Sequence, residues 1–458
     1  MLSTMSALAR EPSPTPTSRV RVPSGPGALV MTASMRQPRE RRAVWHDDRM
    51  ARATRRAGAG LVALTLGLGL LAGCSDDSGE GESATGVAAV ESPTVLDPWF
   101  DAVRRDDRDA ARIVVLGDSV SEGYGLGDHL ERRWLDRLQA ALRTRLGTPA
   151  CPTTAGGWHG TTSLVPADYR APTLPDPLVT GPTVLAPTLG PGGRGLTLKP
   201  GGAVTWTVTA DSVDVGYRTR FAGGPLQIEV DGVVPAHGRA VPTDTDPRAE
   251  RAVWSSGDLG PGQHTVTVRN ALPTTSSTAA TVTDLTPFRG DRDRCVHVLD
   301  ASRSGVSVQT IAQTPTYLKD SLSLDPDLLL VPLGFNDQRA DVPAAQFGRS
   351  LDSLVQQARG MGYEGPILLV GWFTPQTEPG RPAWSAYLQQ MRARTAHERV
   401  SFVDLSAVLP RADPRSRYFI DGLHPSAAGQ PLIAASLTEI LAPPGELSST
   451  VGSSPDAS

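Results

Sequence analysis

The sequence contains neither a His-Glu-x-x-His helix nor a Cys-x-x-Cys pair, so the common zinc spacings are missing and neither a metal nor another cofactor is expected. The acidic stretch Thr243-Asp244-Thr245-Asp246-Pro247 lacks the ligand rhythm of a calcium loop and reads as a solvated loop. There is no excess of positive charge: the net charge of −4 argues against a general nucleic-acid binder. Long apolar runs are also scarce. The run Ala57 to Ala72 is brief for a bilayer span and ends in small residues at a cysteine. Cysteine itself occurs three times, at Cys74, Cys151 and Cys295.

What is abundant is proline and glycine, 40 and 46 in 458 residues, concentrated at the ends and in the middle, where they point to linkers and turn-rich β structure. Against that background one stretch organises the rest. Ile113-Val114-Val115-Leu116 is stopped by Gly117 and followed by Asp118-Ser119, with a helical pattern from about Leu126, which predicts a buried parallel strand feeding a helix. Ser119 then stands at the strand's carboxyl end, where open α/β sheets place their sites. A serine that only caps the next helix is the alternative for this stretch taken alone.

Two later stretches bear on that choice. Asp421-Gly422-Leu423-His424-Pro425 offers what a weak serine nucleophile needs, a base and a third group that fixes the base's tautomer. The spacing of Asp421 and His424 lets both side chains lie on one side of a short helical turn, with Gly422 relaxing the backbone between them. Leu328 to Leu333 predicts a second buried strand, ending in Gly334-Phe335-Asn336-Asp337. An Asn amide at a strand's end is a good donor to a developing oxyanion.

Together these blocks resemble the SGNH, or GDSL-type, hydrolases over roughly residues 110 to 150 and 295 to 442. Ser119 in Gly117-Asp118-Ser119 looks like the family's nucleophile, Gly305 in Ser302-Arg303-Ser304-Gly305 like its glycine oxyanion donor, and Asn336 like its asparagine donor. His424 and Asp421 look like its base and orienting acid. Ser302 stands where many members carry another glycine, which leaves the local loop shape open. The resemblance implies a parallel sheet flanked by helices, a flavodoxin-like three-layer α/β fold.

Upstream, residues 1–49 read as disordered or untranslated. Met50 opens a positive n-region with Arg52, Arg55 and Arg56, then the apolar run ending at Leu71-Ala72-Gly73-Cys74, the architecture of a bacterial export signal. Leu-Ala-Gly-Cys resembles the lipobox of bacterial lipoproteins, so 50–74 is expected to be a signal peptide, Cys74 the lipid-bearing residue and the membrane a partner through that anchor. Residues 75–95 are an acidic, Gly/Ser-rich tether. An exported chain would let Cys151 and Cys295 pair in an oxidising compartment, two unpaired buried thiols being the alternative.

Residues 96–150 and 295–442 are thus expected to form one domain in two parts, with 151–294 inserted and 443–458 a disordered tail. Within the insertion, Val204 to Val208, Val213 to Tyr217, Leu226 to Val230 and His264 to Val268 alternate as short strands, predicting an antiparallel β-sandwich. Its strand rhythm resembles the jelly-roll modules of some carbohydrate-active esterases, and Trp206 and Tyr217 read as core more readily than as sugar platforms. Pro152 to Arg194 reads as a long surface connection, with Trp158 and His159 in a glycine-flanked loop. Helices are expected from about Leu130 to Leu146, Pro315 to Leu322, Ala344 to Met361, Ala383 to Ala396 and Ala427 to Leu441. Further strands are expected at Val296 to Leu299, Pro366 to Gly371 and Val400 to Asp404. Trp372 or Phe373 would wall a substrate pocket or pack the sheet edge.

The expected chemistry is acyl transfer to water, with Ser119 attacking an ester, His424 taking its proton, and the amides of Ser119 and Gly305 with Asn336 holding the oxyanion. Short acyl groups on polysaccharide fit the surface location. The competing readings are a surface carbohydrate-binding protein on an idle hydrolase scaffold, an acyltransferase, and a lipase.

Overall fold

The computed structural model describes residues 88–105, 110–126, 132–147, 151–153, 177–245, 248–376 and 379–442. The expectations for Cys74, for the export signal, for Trp158 and His159 and for the tail lie outside the described residues. In chain order the first part holds β1 (Val90–Glu91), α1 (Asp97–Arg104), β2 (Arg112–Val115), α2 (Ser119–Glu122) and α3 (Trp134–Leu146). Ile113, Val114 and Val115 are wholly buried because β2 has a strand on each side and apolar layers on both faces, which is what an unbroken apolar run permits. In α3 the buried Leu135, Leu138 and Leu142 recur at helical spacing on one face. Gly147 ends that helix in the left-handed conformation, at φ 59°.

Among the described residues, the middle holds nine strands: β3 (Leu178–Thr180), β4 (Thr183–Ala186), β5 (Gly195–Leu198), β6 (Ala203–Ala210), β7 (Ser212–Arg218), β8 (Leu226–Val230), β9 (Arg251–Ser255), β10 (Gly262–Asn270) and β11 (Ala280–Phe288). They form two antiparallel sheets, ordered β3-β6-β10-β8 and β4-β5-β11-β7-β9. One apolar core joins Val204, Trp206, Ile228 and Val266 of the first sheet with Leu198, Val215, Trp254 and Leu285 of the second. The alternation along β6 produces this: Val204, Trp206 and Val208 are buried, while Thr205 faces outward and pairs its hydroxyl with Thr267 across the sheet at 2.9 Å. Trp206 and Tyr217 are buried core residues, as their sequence neighbours implied.

The last part holds β12 (His297–Asp300), α4 (Val308–Ala312), α5 (Pro315–Leu322), β13 (Leu328–Val331), α6 (Phe335–Arg339), α7 (Ala344–Gly360), β14 (Ile367–Gly371), α8 (Trp384–Ala393), β15 (Val400–Asp404) and α9 (Gln430–Leu441). With β1 and β2 these strands make a six-stranded sheet ordered β1-β15-β14-β13-β2-β12. It is parallel except for β1, which runs antiparallel to β15. Along the chain, β2 precedes both of its neighbours, β12 and β13. The winding direction therefore reverses at β2, and the carboxyl ends of β2 and β13 flank the switch point where such sheets open a crevice.

Three expectations need correction, and one open choice is decided. Residues 177–194 are not merely a surface connection: they contain β3, β4 and a buried turn at Pro191–Gly193. The strands β5, β9 and β11 extend the β region past the alternating stretches recognised in sequence. The closing helix begins at Gln430 instead of Ala427, because the Ser426 hydroxyl holds the Ala428 amide in a turn at 3.1 Å. Of the two readings of Trp372 and Phe373, packing holds, since both are fully buried. Trp372 donates its indole N–H to the Pro332 carbonyl at 3.1 Å and meets Trp134 edge-on, ring centroids 6.0 Å apart.

Cys151 and Cys295 are joined by a disulfide, with Cα atoms 5.7 Å apart and a sequence separation of 144.

Candidate active site

At the end of β2 the chain turns through Gly117 and Asp118 into α2. Gly117 is required by close approach: a Cβ there would lie 2.2 Å from the Ser121 hydroxyl oxygen and 2.6 Å from that of Ser302. Asp118 caps α2 by accepting the Val120 amide at 3.0 Å. Its carboxyl is buried, and desolvation pushes its pKa up to about 7 despite that hydrogen bond. Ser119 is the first residue of the helix and is 7% exposed.

Ser119 Oγ lies 2.9 Å from His424 Nε2, and His424 Nδ1 lies 2.8 Å from Asp421 Oδ2. The sequence places Ser119 about three hundred positions before the other two, and the fold joins all three in one chain of hydrogen bonds. Asp421 and His424 do not share a helical turn. Instead Asp421 Oδ1 accepts the backbone amides of Leu423 and His424, both at 2.7 Å, an Asx-type turn that aims the other carboxylate oxygen at the imidazole. Gly422 serves close approach more than flexibility, since a Cβ there would lie 2.3 Å from Gln376 Oε1. Desolvation would raise the Asp421 pKa, but the bonds and charge of His424 and the two backbone amides hold it at about 2.

The loop after β12 closes the other side. Ser302, the departure from the glycine pattern, accepts the Gly117 amide on its hydroxyl at 3.1 Å, tying this loop to the β2 end instead of distorting it. Gly305 has φ 78°, a conformation that favours glycine. The amides on either side of it are committed, Ser304 N–H to Glu122 Oε2 at 2.7 Å and Val306 N–H to the Arg303 carbonyl at 3.1 Å. Asn336, in the first turn of α6, donates from Nδ2 to the Val306 carbonyl at 2.9 Å. An Asn amide carries two N–H groups, so this bond positions the side chain and leaves a donor for another acceptor. Asp337 accepts the Val308 and Gln309 amides at 3.0 and 3.3 Å, coupling α6 to the Gly305 loop. Burial raises its pKa to about 6.

Sequence reasoning missed three contributors. Tyr124 lies with its ring centroid 4.4 Å from that of His424; its place five residues after Ser119 was the available signal. Glu122 and Arg194, both fully buried, form an ion pair beside Ser304; the Gly-Pro-Gly-Gly-Arg-Gly run around Arg194 marked a tight turn but not its contact. A cavity of about 550 Å³ lined by Gln338, Arg339, Gln376, Arg381, Asp421 and Leu423 adjoins the Asp421 side of the site.

Chemically, a serine hydroxyl bonded to an imidazole that is bonded to a carboxylate can be deprotonated as it attacks a carbonyl. Residues 276–432 match the GDSL-like Lipase/Acylhydrolase family, a stretch that includes Gly305, Asn336, Asp421 and His424 and begins after Ser119. The chain thus carries a GDSL-like lipase/acylhydrolase domain and is a carboxylic ester hydrolase. Among solved structures, one described as "Peptidoglycan O-acetylesterase in action, 5 min" is 15% identical, with TM-score 0.55, covering 75% of this chain and 95% of that chain. It supports the fold alone. A family two carbohydrate esterase from Cellvibrio japonicus is 14% identical, covering 58% of this chain and 99% of that chain at TM-score 0.26. TesA is 25% identical, covering 32% and 79% at TM-score 0.27. Neither of these two carries weight at such scores. No curated protein matches the chain.

Proposed function

We propose that this protein is a serine esterase that removes short acyl groups, acetyl first among them, from carbohydrate outside the cell. The observation that carries the reading is the continuous Ser119–His424–Asp421 chain at 2.9 and 2.8 Å. In this mechanism His424 takes the Ser119 proton as Oγ attacks the ester carbonyl. Asp421 holds Nδ1 protonated, so that Nε2 is the basic nitrogen. The backbone amides of Ser119 and Gly305 and the Asn336 amide receive the oxyanion. His424 then returns the proton to the departing alcohol, and water, activated by the same base, releases the acid. The polar lining of the cavity beside Asp421 suits a hydroxylated alcohol, and the likeness to a structure described as a peptidoglycan O-acetylesterase is in keeping with an acetylated glycan.

The same reading takes 50–74 as a lipoprotein signal with Cys74 as the anchored residue. It treats 151–294 as a jelly-roll-like sandwich inserted between the two parts of the hydrolase domain. Palmitate labelling in a bacterial host, lost in Cys74→Ser, is the test of the anchor.

The decisive experiment on the chemistry is hydrolysis of a chain-length series of aryl esters by the protein and by Ser119→Ala, followed by acetate release from acetylated polysaccharide. Turnover that falls with acyl length and vanishes in the variant supports the proposal. A folded Ser119→Ala with wild-type turnover overturns it, and product that appears only with a sugar acceptor would make the protein a transferase.

A further inference from the structure

We propose that Arg194, which belongs to the β region and not to the α/β core, is a positioning residue for the oxyanion loop, so that the β region is a working part of the active site. The inference rests on the proposed role of Gly305. Its physical basis is a chain of buried polar contacts that runs from one region into the other. Glu122 ends the short helix that Ser119 begins. Its Oε2 accepts both the amide and the hydroxyl of Ser304, the residue immediately before Gly305. Glu122 therefore bridges the turn bearing the nucleophile and the loop bearing the glycine.

A fully buried carboxylate holds such a bridge only if its charge is met. Arg194 meets it, and the same guanidinium donates to the Ser302 carbonyl. One guanidinium nitrogen, Nη2, thus meets the loop at Ser302 and, through Glu122, at Ser304, the two positions that fix where the Gly305 amide points.

The β region delivers Arg194 through a turn built for close contact. At Gly192, φ is 70° and an added Cβ would lie 3.1 Å from the Ser302 carbonyl oxygen, so the turn backbone lies directly against the loop. The turn is held on the core side as well: the Gly190 amide donates to Asp320 Oδ2 at 2.7 Å, and Arg303 donates to the Pro187 carbonyl at 3.0 Å. Lysine in place of Arg194 keeps the charge, but its side chain is one atom shorter and lacks the rigid guanidinium plane, so its ammonium stops short of the place that Nη2 takes between Glu122 and Ser302.

The test is Arg194→Lys in the whole protein beside Arg218→Lys. Arg218 also crosses between the regions, pairing with Asp320 at 2.6 Å, but does not touch the loop. Three readouts are needed: kcat and KM on an aryl acetate, affinity for a boronic acid that forms a tetrahedral adduct on Ser119, and Tm. If Arg194 positions the loop, Arg194→Lys lowers kcat by about tenfold or more with KM little changed. Boronate affinity then falls in step with kcat, while Arg218→Lys lowers Tm alone. Folded Arg194→Lys with wild-type kcat and boronate affinity overturns the inference. Should Arg194→Lys not fold, Ser304→Ala, which keeps both charges and cuts only the hydroxyl contact with Glu122, is read the same way. Ser119→Ala is run alongside. Turnover retained there sinks the esterase reading itself, whereas an inactive Ser119→Ala with an unaffected Arg194→Lys sinks only this inference.

Discussion

Replacing Asp421 by Asn is the sharpest probe of the hydrogen-bond chain, because the structure separates the two jobs of its carboxylate. Oδ1 accepts two backbone amides, a role an Asn carbonyl oxygen keeps, and Oδ2 accepts His424 Nδ1, a role an NH2 group reverses. In Asp421→Asn the loop therefore survives, while Nδ1 becomes the acceptor and the proton moves to Nε2, facing Ser119. The base is lost without loss of shape. In a fully buried triad this substitution costs about 10⁴ in kcat. Here the Asp421 side chain is 46% exposed, so water can relieve part of the mismatch and the expected loss is roughly 10² to 10⁴, or about 3 to 5 kcal/mol of barrier. The assay is kcat on an aryl acetate, with Tm as the control for folding. A folded variant whose kcat is unchanged would refute the assignment of Asp421 and His424 as orienting acid and base. The low pKa of Asp421 adds a pH arm. Its folded value of about 2 lies below the unfolded one, so its contribution to stability is complete above about pH 4 and is lost as pH falls toward 2. The wild type should lose more Tm than Asp421→Asn across that window.

Asn336→Ala should leave Tm nearly unchanged and lower kcat roughly a hundredfold or more; wild-type turnover in folded protein would remove Asn336 from the oxyanion site. Asp118 behaves in the opposite sense to Asp421. Its folded pKa of about 7 is above the unfolded value, so the native state keeps a proton the unfolded chain gives up, and stability falls as pH rises from about 4 to 7. Asp118→Asn retains the helix cap and should be more stable than wild type at pH 8 by up to about 4 kcal/mol, measured by urea unfolding; equal stability at pH 8 would argue that the carboxylate is ionised without strain.

The candidate site was legible in sequence where chemistry demands a residue type next to a strand end. Ser119, Asn336, Asp421 and His424 follow apolar runs or turn signals that read the same way in any fold of this class. The parallel strands were legible because burial on both faces writes itself as Ile113-Val114-Val115 or Leu328-Leu329-Leu330. The strands β3, β4 and β5 were not, because they are short, rich in threonine and glycine, and interrupted by turns that imitate a linker. Nor did any spacing announce Glu122 and Arg194. An ion pair between residues of two separate regions leaves no periodic trace, and each residue alone reads as a solvated charge. Trp372 and Phe373 show the same limit from the other side: an aromatic pair at a strand's carboxyl end is equally consistent with a pocket wall and with packing, and only the neighbouring Trp134, Phe335 and Trp384 rings decide for packing.

The place of the β region in the chain explains why it can be large without disturbing the sheet. It leaves the α/β core after α3 and returns before β12, between two strands that are direct neighbours, with Val114 opposite Leu299. A parallel pair needs a crossover of only about a dozen residues, yet the two cysteines have a sequence separation of 144. Closing the longer loop costs about 2 kcal/mol more in chain entropy, from the logarithmic dependence on length. The disulfide, with its Cα atoms 5.7 Å apart, offsets this by closing the same loop in the unfolded chain, a contribution typically about 2 to 4 kcal/mol. It joins the two ends of the segment that holds the β region, whereas Arg194 ties that region to the Ser302–Gly305 loop. The two links should therefore fail differently. The Cys151→Ser, Cys295→Ser double variant should unfold at lower urea concentration with kcat preserved in the folded fraction, whereas Arg194→Lys should lose kcat in protein that is still folded. If loss of the disulfide lowers kcat as much as it lowers stability, the Cys151–Cys295 link, and not the Arg194 turn, controls the site.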